Sequence, residues 1–104
     1  MNYSAIDHVI SEWVEKHSFN LFTKYENDPD SDFRAVYLSS EQGECCQIWI
    51  DKPKEGMVRI HAGDVETDQD DELKIEWYVP VKELAEALEN AVNFVKTWFS
   101  RKSA

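Results

Sequence analysis

In residues 73–99 a period-2 pattern gives way to a helical period at a single proline, and no other stretch limits the fold so tightly. Leu73, Ile75, Trp77 and Val79 alternate with Lys74, Glu76 and Tyr78, the pattern of a strand with one buried face. Pro80 follows. Proline has no amide proton for a sheet ladder, but its fixed φ suits the first turn of a helix, so the chain should leave the sheet there and wind. Val81, Leu84, Ala85, Leu88, Ala91, Val92, Val95, Trp98 and Phe99 then form one apolar stripe. Such a stripe must be covered, and the preceding strand offers an apolar face on which the helix can lie.

The rest of the chain supplies the other parts of that sandwich. Ser4 and Asp7 have the spacing of a capping box, and Ile6, Val9, Ile10, Trp13 and Val14 share one helical face, which predicts a helix over residues 4–17. Strands are expected over residues 20–26, 33–40, 44–51 and 57–63, with turn residues between them, before the fifth strand that ends at Pro80. Short connections favour an antiparallel meander, and two one-sided helices favour covering the same sheet face. The expected fold is an α+β two-layer sandwich of order α-β-β-β-β-β-α in a single domain of 104 residues.

Charge and composition narrow the function classes. Hydrophobic residues make up 42% and charged residues 31%, a balance that can build a core. The net charge of -10 repels nucleic acid and anionic membrane surfaces and attracts basic protein partners. No run approaches the ~18 apolar residues of a membrane span, and the N-terminal residues lack a secretory pattern, so a cytoplasmic protein is expected. Cys45 and Cys46 are adjacent in a strand pattern and point to opposite faces, which suits free thiols in a reducing compartment.

No catalytic, metal or cofactor motif stands out. The acidic connection Asp64, Glu66, Asp68, Asp70, Asp71 and Glu72 opens like a calcium loop, but Gln69 replaces the required glycine and Ile75 the bidentate glutamate. Asp28, Asp30 and Asp32 fail in the same way, at Phe33 and Ser39. Gly43, Gly56 and Gly63 are isolated, so no phosphate loop is expected. His61 is the one histidine placed for chemistry, because alternation puts it with Arg59 and Glu76 on the uncovered sheet face, the residue set an enzyme would use. That face should also carry Tyr37, Trp49 and Tyr78, residue types enriched where proteins bind one another. The same aromatics could instead serve cross-strand packing.

Trp77, Tyr78, Val79 and Pro80, followed by Leu84, Ala87, Leu88, Ala91, Val95 and Trp98, resemble the closing strand and helix of small acidic bacterial immunity proteins. The resemblance implies a non-catalytic inhibitor of a toxin, often a basic nuclease, with acidic groups standing where phosphates would sit. Small acidic secretion chaperones are a second family with similar traits, but this chain lacks their helix between strands. The resulting expectation is a binder of a basic protein without metal or cofactor. Asp64, Glu66, Asp68, Asp70 and Asp71 would steer the encounter, and Tyr37, Trp49, Arg59, His61, Glu76 and Tyr78 would contact the partner.

Overall fold

The computed structural model describes residues 2–41, 43–64 and 74–103. Their order is a 3-10 turn (Tyr3–Ala5), α1 (Asp7–His17), four strands, a second 3-10 turn (Val81–Glu83) and α2 (Leu84–Ser103). The strands are β1 (Arg34–Ser39), β2 (Cys45–Ile50), β3 (Met57–Asp64) and β4 (Lys74–Pro80), and they form one antiparallel meander in chain order. No helix among the described residues is long and apolar enough to cross a membrane.

Register separates the two faces of the sheet. Arg34, Ile50, Ile60 and Trp77 stand opposite one another, as do Val36, Ile48, Ala62 and Ile75. This face belongs to a core shared with Ile10 and Trp13 of α1 and with Leu84, Leu88, Val92 and Val95 of α2. Both helices therefore cover the same side, and period-2 alternation sends Tyr37, Trp49, Arg59, His61, Glu76 and Tyr78 to the other. In α2, Ala87 is buried while Ala85 faces solvent. Leu84, Leu88, Ala91, Val92 and Val95 are buried as read, and Ala85 and Ala87 stand at opposite margins of that stripe, where the packing covers the second and not the first.

The sheet has four strands rather than the expected five. In residues 20–26, Phe22 exchanges two hydrogen bonds with Ala35, at 2.8 and 3.0 Å, and the Thr23 carbonyl accepts from the Phe33 amide at 3.0 Å. The ladder stops there. The Tyr25 amide donates instead to the Ser31 hydroxyl at 2.7 Å, and the Tyr25 carbonyl accepts from the Asp28 amide at 3.2 Å, so local turn bonds replace cross-strand ones.

The N-terminal helix also starts later than residue 4, and the proposed capping box does not form. Asn2 accepts the Ser4 amide at 3.0 Å and also the Ser4 hydroxyl proton. Asp7 is held by Arg34, whose Nε and Nη2 donate to its carboxylate at 2.8 and 3.2 Å. The far end of α1 closes with Ser18 at φ 57, where the Ser18 amide donates to Glu15 and the Phe19 amide to Val14. That bond pair is a Schellman motif.

Candidate functional site: the uncovered sheet face

The side of the sheet away from the helices divides into a packed half and an open half. Over β1 and β2, the Phe33 ring stacks on Trp49 with centroids 4.7 Å apart, and Tyr25 packs on Phe33 at 4.6 Å. Phe22 meets Tyr37 edge-on at 5.1 Å, and Gln47 donates to the Tyr37 hydroxyl at 2.9 Å. Such aromatic pairs contribute about 0.5–1.5 kcal/mol each beyond area burial. Trp49 is thus tied to Phe33, whereas Tyr37 keeps 40% of its surface exposed.

Over β3 and β4 the polar side chains converge. Trp49, His61 and Glu76 are aligned across three strands, and Asp51 follows β2 with its amide bonded to the Arg59 carbonyl at 2.9 Å. His61 Nε2 lies 2.8 Å from Asp51 Oδ2, and its Nδ1 lies 3.0 Å from Glu76 Oε1. The Nε2 contact is a hydrogen bond, and the Nδ1 contact is within ion-pair distance, so both ring nitrogens face carboxylate oxygens. Arg59 does not join this group. Its guanidinium sits 5.2 Å from the centroid of the Tyr78 ring, a cation–π geometry, and Tyr78 is 59% exposed.

An open recess of about 630 Å³ borders the histidine, lined by Gln47, Gly63, Ile75 and Glu76 as well as His61 itself. Gly63, which has no side chain, stands between Gln47 and Lys74 in the cross-strand row. Among the described residues, no His, Cys, Asp and Glu side chains are grouped as a metal site. Asp51 and Glu76 bind one imidazole at opposite nitrogens and do not share a common centre.

Of the residues expected to steer a partner, Asp64 ends β3 opposite Cys46, on the parity of the helix-covered face. Its charge helps raise the Cys46 thiol to about 12, after burial as the first cause. Glu66, Asp68, Asp70 and Asp71 lie outside the described residues. Sequence reasoning overlooked Asp51 and Phe33. Both are terminal residues of expected strands, 33–40 and 44–51, and share the parity of Tyr37 and Trp49, so carrying the alternation to the strand ends would have placed both on this face.

No family model, curated protein or solved structure matches the chain.

Proposed function

We propose that the chain is a non-catalytic protein-binding domain of the immunity type, which inhibits a basic toxin or a similar basic partner in the cytoplasm. The observation that supports this reading most is the uncovered face of the sheet, where Tyr37 on β1, and Tyr78 beside Glu76 on β4, are exposed in a chain of net charge -10. Aromatic side chains contribute once surfaces have docked, whereas a net acidic field acts on approach. The acid–base alternative built on His61, Arg59 and Glu76 has less support. Both nitrogens of His61 are occupied by carboxylates, and Arg59 is turned to Tyr78, so no free imidazole nitrogen faces a substrate.

The test is capture of a basic protein from an extract of the source cells, followed by expression of that protein with and without this chain. Growth arrest by the partner, relieved by the wild-type chain and not by a Tyr37→Ala/Tyr78→Ala variant, is the expected result. Neutralising Asp68, Asp70 and Asp71 to Asn should lower the association rate and leave dissociation nearly unchanged. Captured proteins that bind the tyrosine variant as tightly as wild type would remove the open face from the account.

A further inference from the structure

The outer edge of β4 is the end of the sheet in the strand order. Antiparallel partners alternate between residues that exchange both backbone hydrogen bonds and residues that exchange none. The Val81 amide donates to the Gly56 carbonyl at 2.9 Å, so position 81 is bonded toward β3. Two-residue steps from it make Val58 with Val79, Ile60 with Trp77 and Ala62 with Ile75 the bonded pairs. Glu76 and Tyr78 therefore turn their N–H and C=O groups away from β3. Because β4 ends the strand order, nothing among the described residues pairs with that edge. Pro80 has the same outward parity and no N–H, which stops a ladder at this end.

The two sides of this edge differ in chemistry. On the open face, the Glu76 side chain is 60% exposed and Tyr78 is 59% exposed. On the helix face, Trp77 is half-buried and meets Phe94 of α2 edge-on at 5.9 Å, with Phe94 still 38% exposed. A strand added here would place alternate side chains opposite Glu76 and Tyr78, and those between them beside Trp77 and Phe94. Cationic residues suit the first set, through an ion pair with Glu76 and a cation–π contact with Tyr78, and apolar residues suit the second.

The geometry points to an extended, alternating cationic and apolar segment of a basic partner that adds to the β4 edge as a fifth strand. This rests on the basic-partner reading above and adds to it the mode of docking. A second copy of the chain fits less well, because self-pairing joins two molecules of net charge -10, and the register centred on Glu76 sets two carboxylates opposite each other.

The probe is a synthetic, end-blocked peptide of alternating lysine and valine long enough to pair with β4, titrated into the full chain and followed by amide shifts and hydrogen exchange. Binding should protect the Glu76 and Tyr78 amides. N-methylation of the peptide amides that face β4 should weaken binding about tenfold, the cost of one or two lost hydrogen bonds. An N-methylated peptide that binds unchanged, or no binding of the lysine–valine peptide, overturns strand addition and leaves the open-face reading intact. A glutamate–valine peptide that binds equally well, with the same amides protected, defeats the basic-partner reading instead. Protection of those amides without peptide, with a mass twice that of the chain, assigns the edge to a second copy and overturns the proposal.

Discussion

The Tyr3 hydroxyl donates a 2.6 Å hydrogen bond to the carbonyl of Ile50, which fastens the first turn of the chain to the last residue of the second strand. The ring is 3% exposed, and the Arg34 guanidinium lies 4.3 Å from its centroid. Arg34 also holds Asp7 and Asp32 at 2.8 and 2.7 Å. One tyrosine and one arginine thus join the N-terminal turn, α1, β1 and β2.

That contact makes stability depend on alkaline pH. Burial, followed by the charge of Asp51, pushes the Tyr3 hydroxyl from 10.0 up to about 12. A folded-state value above the unfolded one means the contribution is complete below pH 10.0 and is lost as pH rises through about 12. Cys46, raised from 9.0 to about 12 mainly by burial, acts with the same sign. Tyr3→Phe should cost about 1 kcal/mol at neutral pH and flatten the alkaline loss seen in denaturant midpoints. Parallel pH profiles for the two proteins would show that the hydroxyl is not held as described.

The opposite limb belongs to Glu89. Partial desolvation pushes its carboxyl up, but hydrogen bonds from His17 and Lys16, with their charges, outweigh this and hold it below the usual carboxylate range. A depressed value stabilises the fold above the unfolded pKa, and the contribution is lost as pH falls through the folded one. Glu89→Gln should therefore weaken the acid-induced fall in melting temperature. An unchanged acid limb would place the α1–α2 contact elsewhere.

Among the described residues, two that are not glycine adopt left-handed backbone, Ser18 at φ 57 and Glu55 at φ 54. Ser18 is the turning residue of the Schellman motif. Glu55 precedes Gly56, at φ 80, in a tight turn where Lys54 and Met57 exchange bonds of 2.9 and 3.0 Å, the geometry of a type I′ hairpin. Ser18→Gly and Glu55→Gly should each stabilise by about 1 kcal/mol, the strain of a side chain in that region. Gly56→Ala should do the reverse. Equilibrium denaturation measures all three, and a loss of stability in either glycine variant would contradict the stated turn geometry.

Trp49 separates packing from binding. Trp49→Ala should cost about 2 to 3 kcal/mol, because it removes the surface on which Phe33 stacks. A double-mutant cycle with Phe33→Ala should return a coupling of about 1 kcal/mol. Tyr78→Ala should leave stability within about 0.5 kcal/mol of wild type, as an exposed residue would. Full additivity at Trp49 and Phe33 would dissolve the packed half of the face.

Much of the fold was readable because β1 to β4 alternate with a period that leaves little choice of face. A one-residue slip would expose Ile48, Ile50 and Ile60 together. Residues 20–26 misled because Leu21, Phe22, Thr23 and Tyr25 have strand propensity, while the local bonds of Ser31 and Asp28 that end the pairing come from residues further on. The capping box failed for a similar reason. A distant guanidinium claims Asp7, and no local pattern shows a contact 27 residues away. At the site, parity placed His61 and Glu76 on one face, but their convergence on opposite ring nitrogens with Asp51 depends on rotamers that sequence does not encode.

The hydrogen bond between Tyr3 and Ile50, and the contact of His17 with Glu89, set the order in which the molecule can be completed during synthesis. In chain order α1 comes before every strand, the carbonyl that anchors its approach follows 47 residues after Tyr3, and α2 comes after all four strands. The sheet can grow hairpin by hairpin through local pairings, which are the fast ones. The part of the core that α1 and α2 share stays open until α2 follows the strands, so the nascent chain exposes apolar surface to aggregation and to holdase chaperones until the twenty residues of α2 have been added.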